Sequence, residues 1–379
     1  MIITNMIYLD YNATTPVAKE VAEAMQPYLF EYFGNPSSSH WYGQQTKNAI
    51  EKARKSLADM LNCDTSEIVF TSGGSESNNY ALKGFAFQHQ EKGKHIITSK
   101  IEHPAIIEVC KFLEQEGFEI SYLPVDESGR VRISDLENAI RPDTILISIM
   151  YANNEVGSLQ PLKEISALAR KHNIAVHTDC AQAIGKVPVD VEDLGVDLLT
   201  VAGHKFYGPK GIGALYIRKG IQLRKLIHGA DHESNRRAGT ENILEIVGLG
   251  KAAELAMYEP EKRMQREQKL VEMLKSGLLP LGELQFNGNQ AYKLPNTLSV
   301  SFKNLRAVDI LSQMPNIAAS AGAACHSDAV KISATLDAMN VPFEFAMGTL
   351  RLSVGKYTTE EEIKTAITEI SAAIKLLRK

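Results

Sequence analysis

A chain of 379 residues is long for one hydrophobic core and predicts two domains. Hydrophobic residues at 44% and charged residues at 23% describe an ordinary globular protein. The net charge of -4 leaves no basic surplus for nucleic acid or an anionic membrane, so the partner to look for is a small molecule.

Met1 to Tyr11 shows neither the basic start nor the apolar core of a signal peptide, and no apolar run reaches the ~18 residues of a membrane span. From Glu67 to about Tyr216, short apolar runs alternate with amphipathic stretches. Ile68-Val69-Phe70 precedes a helical pattern from Glu76, and His95-Ile96-Ile97-Thr98 precedes another from Pro104. Ile145-Leu146-Ile147-Ser148 leads to a helix near Pro161, a good first-turn residue. Ile174-Ala175-Val176-His177 and Leu198-Leu199-Thr200-Val201 are further β-rich runs. The alternation predicts an α/β fold, a mostly parallel sheet sandwiched by helices, with ligands beyond the carboxyl ends of the strands.

After Thr240 the texture changes. A charged helical stretch runs from about Glu241 to Leu278, and the rest holds short strands, a loop around Cys325 and a final helix from Thr359. The division expected is a large domain over 15–261 and a smaller α+β domain from 1–14 and 262–379. The four cysteines, Cys63, Cys110, Cys180 and Cys325, lie far apart with no CxxC pair. This argues against a disulfide framework and a metal site, and fits a reducing cytoplasm.

Three stretches carry chemistry. Phe70-Thr71-Ser72-Gly73-Gly74-Ser75-Glu76 puts glycines and hydroxyls between a strand and a helix start, which suits a phosphate or, equally, an ordinary Ser-capped turn. His177-Thr178-Asp179 places a carboxylate at a strand's end, where it needs a cation: a cofactor's pyridinium nitrogen or a structural partner. Ala202-Gly203-His204-Lys205 follows the next strand and leaves a lysine sterically free to meet a planar ligand.

Taken in order with Tyr8-Leu9-Asp10-Tyr11-Asn12-Ala13-Thr14-Thr15-Pro16 near the start and Leu350-Arg351-Leu352-Ser353 near the end, these stretches resemble the class V aminotransferase-like group. That group contains cysteine desulfurases and selenocysteine lyases and has the fold-type I architecture of pyridoxal-phosphate enzymes. The resemblance implies pyridoxal 5'-phosphate held covalently by Lys205, with His103 stacked on the ring and moving protons. Asp179 would pair with the pyridinium, and Gln182 would contact the ring oxygen. Gly74, Ser75 and His204 would hold the phosphate, joined by Thr240 from a second subunit of a homodimer. Asn154 and Arg351 would bind the substrate carboxylate, Arg because its fork makes two bonds.

Cys325 would receive or protonate the chalcogen of an amino-acid substrate, with a sulfur or selenium acceptor protein downstream. Gly322-Ala323-Ala324-Cys325-His326-Ser327-Asp328, Val341-Pro342-Phe343 and Ala202 look like the lyase versions of their motifs. The expectation is therefore a selenocysteine lyase, with cysteine desulfurase as the alternative. His228 to Arg237 departs from both, and residue chemistry alone assigns it no substrate.

Overall fold

The computed structural model describes residues 6–325 and 330–379, apart from the side chains of 323–325, 330 and 331. Its largest element is a seven-stranded sheet in the order Ile68–Thr71, Gly213–Ile217, Leu198–Ala202, Ala175–Asp179, Thr144–Ser148, His95–Ser99, Glu119–Leu123. The last five are parallel, and Gly213–Ile217 runs antiparallel to both its neighbours. All residues of the inner strands are buried, as continuous apolar runs require when both faces are covered. Alternation sorts the side chains by face. Ile96, Leu146 and Leu198 pack with Tyr80, Leu82 and Ile106 on one side. Ile97, Ile147 and Leu199 pack with Leu57 and Leu249 on the other.

Two strands were not read from the sequence. Glu119–Leu123 is an edge strand with an exposed first residue, so its apolar signal is diluted. Gly213–Ile217 follows a glycine-rich turn and returns antiparallel instead of starting a βα unit.

A second, antiparallel sheet has the order Ser320–Ala321, Thr349–Ser353, Thr297–Phe302, Leu284–Asn287. Helices Pro260–Leu278 and Glu360–Leu377 bury Leu270, Leu274, Ile363 and Ile370 against it, together with Ile7 and Leu9. Thr359 caps the last helix reciprocally: its hydroxyl accepts from Glu362 N at 3.1 Å while the Glu362 carboxylate accepts from Thr359 N at 2.7 Å.

The charged stretch expected from 241 to 278 is two helices, Ile243–Met257 and Pro260–Leu278. Glu259 adopts a left-handed φ of 44°, and Pro260, which lacks an N–H, starts the second helix where none is needed. No helix among the described residues is long and apolar enough to cross a membrane.

The N-terminal segment links the two sheets. Ile7–Tyr8 pairs with Ile317–Ala318, Asp10 bridges to Ser353, and Asn12 Nδ2 donates to Thr297 Oγ1 at 2.8 Å. Residues 12–15 then run across the carboxyl ends of the large sheet, where the chemistry collects.

Candidate active site

A cavity of about 340 Å³ opens at those strand ends. Each strand delivers its side chain through the residues that follow it: Gly74 and Ser75, His103, Asn154, Asp179 with Gln182, and His204 with Lys205. Arg351 enters from the second sheet. This is the crevice expected of an open α/β sheet, built because strand ends leave backbone groups and turns unpaired by neighbours.

Lys205 ends a short 3-10 turn, Gly203–Lys205, directly after the Leu198–Ala202 strand. Thr15 pins this turn: its N–H and its hydroxyl both donate to His204 O at 3.0 Å, and its Oγ1 accepts from Tyr207 N at 2.8 Å. Lys205 Nζ donates to Asn12 O at 2.9 Å and Ala13 O at 2.8 Å. Desolvation, with the Arg351 guanidinium adding to it, brings the Lys205 pKa down to about 8. Burial and the adjacent Lys205 lower His204 to about 4, and its Nδ1 lies 3.1 Å from Thr14 Oγ1.

Asp179, 7% exposed, is fixed by two donors: Asn78 Nδ2 reaches Oδ2 at 2.7 Å and Ala181 N reaches Oδ1 at 2.9 Å. Both bonds fix where the carboxylate points. His103 precedes Pro104 and caps helix Pro104–Gln115, its Nδ1 accepting from Ala105 N at 3.1 Å. That bond leaves the neutral ring's proton on Nε2. Desolvation and Lys205 lower the His103 pKa, and the Asp179 charge opposes them. Burial raises the pKa of the neighbouring Glu102 carboxyl to about 8, and it accepts from Ser99 Oγ at 2.7 Å and Met150 N at 2.9 Å. Glu102 thereby joins the turns that follow two strands.

The Gly74–His89 helix begins without a side-chain cap, so the Ser-capped reading of this turn is not what forms. Gly73 holds φ at 144°, where a Cβ is strained, and the Glu76 carboxylate instead accepts from Ser72 N at 2.7 Å. Gly74 faces the cavity, 3.3 Å separating the Ala202 Cβ from where a Gly74 Cβ would lie. The helix start is therefore a set of backbone N–H groups facing an anion-sized space.

Arg351 has three of its five N–H donors engaged. Nη2 donates to Asp10 Oδ1 at 2.8 Å and Ser320 Oγ at 2.9 Å, and Nη1 donates to Asn154 O at 3.0 Å. Its Nε is buried without a partner, and one Nη1 proton remains. Buried polar groups are normally satisfied, so a missing acceptor is implied.

Nine of the eleven expected residues line the cavity. Thr240 does not: it is exposed and outside it. Cys325 ends strand Ala323–Cys325, paired with Val330–Ile332, while its side chain lies outside the described residues, as do His326, Ser327 and Asp328. Sequence reasoning assigned no role to Asp10, Asn12, Asn78, Glu102 or Lys186. Asp10 and Asn12 stand in the N-terminal motif, where motif position was the available signal, and Asn78 lies one turn into helix Gly74–His89, just past the glycine-rich turn. For Lys186 there was none.

The residues fit pyridoxal phosphate. An amine and a carboxylate face one cavity from adjacent strands, an uncapped helix start serves a phosphate, and the buried Asn78 Oδ1 has no partner, leaving an acceptor beside Asp179.

The aminotransferase class-V family profile matches residues 7–365. The cysteine desulfurase IscS of Dictyoglomus turgidum is 49% identical over 375 residues, covering 98% of this chain and 95% of that protein. A solved NifS-like protein superposes with a TM-score of 0.93 at 40% identity, covering 98% of this chain and all of its own. A solved structure described as SspA in complex with cysteine gives a TM-score of 0.82 at 39% identity, covering 93% of this chain and 100% of that one. These similarities overturn the expectation of a selenocysteine lyase, because the full-length relative is named for the other reaction. Ala202, one of the positions behind that expectation, is 3% exposed and lines the cavity beside Gly74.

Proposed function

The chain belongs to the aminotransferase class-V family, and within it we propose that it is a cysteine desulfurase, moving sulfur from L-cysteine onto Cys325 and releasing L-alanine. It is an enzyme whose cofactor is pyridoxal 5'-phosphate. When bound, this group supplies an electron sink for the pair left when a Cα proton departs.

The observation that carries the reading is the convergence of Lys205, Asp179 and Arg351 on one cavity. Arg351 receives the substrate carboxylate on its unpartnered Nε–H, with Asn154 beside it. Lys205 would hold the cofactor covalently and, as a free amine, would take the Cα proton and return it. Its amine, with a pKa of about 8, is basic enough to accept a proton and is about half neutral at pH 8. His103 lines the cavity with its proton on Nε2 and would exchange protons with the bound group from there. Asp179 would pair with the ring nitrogen, Gln182 would meet the ring oxygen, and Gly74, Ser75 and His204 would hold the phosphate.

Sulfur transfer then balances as one exchange. The Cys325 thiolate attacks the substrate sulfur, the Cβ–S bond breaks, and Cys325 keeps a persulfide. The Cβ carbon gains a proton and leaves as alanine. Ser320–Ala321 pairs with Arg351–Leu350, and the four residues from Ala321 to Cys325 span at most about 14 Å, which tethers the cysteine to the carboxylate site. The neighbour solved with cysteine supports this substrate class. A second protein then accepts the persulfide sulfur, and a homodimer supplies Thr240 to the phosphate of its partner's site. The exposure of Thr240 outside its own cavity supports that arrangement.

Mass spectrometry of the Cys325 peptide after brief exposure to L-cysteine tests the proposal. One added sulfur atom is expected on Cys325, absent when Lys205→Ala is treated alike. Alanine release with Cys325 unmodified in every sample would overturn it.

A further inference from the structure

Behind the cavity a lysine is buried with no carboxylate bonded to it. Lys186 is 6% exposed, in the turn that follows Asp179 and Gln182. Its Nζ donates to Gln182 Oε1 at 2.5 Å and to Asn12 Oδ1 at 2.9 Å. Neither acceptor is charged. The acid acting on it, Glu267 of helix Pro260–Leu278, is not within salt-bridge distance, and its buried Oε2 has no hydrogen-bond partner. Lys205 and Arg351 act on Lys186 from the cavity side as like charges. Removing an ammonium from water without an anion costs several kcal/mol, and a methionine of similar length would avoid that cost. The position therefore does something that an apolar side chain does not.

What it does follows from the amide it touches. Gln182 Nε2 donates to Asn12 O at 2.8 Å, and a carbonyl oxygen only accepts. With Lys186 donating to Oε1 from the other end, both partners demand the same amide orientation, so no flip is open. One Nε2–H is then spent on Asn12 O and the second remains for the cavity that Gln182 lines. Asn12 does not depend on Lys186 in the same way. Its Nδ2 donates to Thr297 Oγ1 at 2.8 Å and to Asn154 O at 3.3 Å, and its Oδ1 also accepts from Asn296 Nδ2 at 3.2 Å.

We propose that Lys186 is a positioning residue that locks the Gln182 amide with its Nε2–H presented to the ring oxygen of the cofactor. The inference rests on the reading that Gln182 meets that oxygen. It holds in either protonation state, because a neutral amine has two N–H donors for the two acceptors. Burial pushes the Lys186 pKa well below its ordinary value, so this independence matters.

The test is a double-mutant cycle on the holoenzyme with Lys186→Met, Gln182→Leu and the pair. The readouts are the rate of cofactor release into a trap and the wavelength of the bound cofactor's visible band. Gln182→Leu is expected to speed release and move the band. Lys186→Met in the wild-type background should speed release about tenfold, the worth of one hydrogen bond near charge, and move the band likewise. In the Gln182→Leu background it should change release less than about twofold and leave the band in place. Equal effects in both backgrounds, or no effect beside an intact Gln182, would overturn the inference. If Gln182→Leu itself changes neither readout, the underlying reading of Gln182 fails instead. Thermal melts of the apoproteins show whether each variant folds, and Lys186→Gln replaces Lys186→Met in the cycle if the latter does not.

Discussion

Lys205 and Arg351 show how far single residues carry the chemistry. Burial brings the Lys205 amine to about 8, and only the neutral amine attacks the cofactor's aldehyde. Reconstitution of apoenzyme with pyridoxal phosphate should therefore speed up as pH rises and level off above about 8, which stopped-flow absorbance follows. A rate flat from pH 6 to 9 would mean that the amine is not so placed. Arg351→Lys keeps the charge but loses the planar fork held by Asp10 and Asn154. We expect KM for cysteine to rise about 30-fold, near 2 kcal/mol, with a smaller change in kcat. Asp179 and Lys205 were legible in the sequence because each closes an apolar strand with a polar motif. Asn78 and Lys186 were not, because they act through contacts such as Asn78 to Asp179 that join positions 101 residues apart.

At the scale of elements, two contacts bear on stability. Helices Trp41–Leu61 and Ile243–Met257 cross at Gly250, where an added Cβ would stand 2.5 Å from Ala53 Cβ. Gly250→Ala should cost about 1–3 kcal/mol by overpacking, read by denaturant unfolding of the apoprotein. The segment from His228 to Arg237 is anchored by Glu233, whose carboxylate takes both Arg54 Nη1 and Nη2 at 2.8 Å and the Phe70 N–H at 2.9 Å. Glu233, Ser234 and Asn235 hold left-handed φ values of 50°, 54° and 63°, a strained run that this buried pair stabilises. Glu233→Ala leaves the buried Arg54 only the exposed Glu51 carboxylate at 3.3 Å and should cost about 3 kcal/mol by the same measurement. The βα alternation was legible as apolar runs. The break at Glu259 was not, because Pro260 fits a helix start as well as a helix end and only the φ of Glu259 decides between them.

For the whole molecule, the strand order is the part that periodicity does not encode. Each run from Ile68 to Val201 is visible alone, but Ile68–Thr71 lands at the far edge, beyond the later Gly213–Ile217, through pairing over about 145 residues. Outside the cavity, Phe33 and Trp41 are 69% and 70% exposed and flank Tyr42, with ring centroids 5.1 and 4.2 Å from it. Such a cluster is costly to leave in water and is consistent with the proposed homodimer. Sedimentation should give about twice the 41.8 kDa chain mass, and Trp41→Glu should shift it toward one. A monomer with full activity at low concentration would remove Thr240 from the site.

The most direct test of the central claim is alanine release from L-cysteine by wild type and Cys325→Ala, with L-selenocysteine alongside. The desulfurase account predicts sustained turnover of cysteine that collapses to background in Cys325→Ala. Cysteine turnover at background in the wild type, with selenocysteine consumed readily, would contradict it.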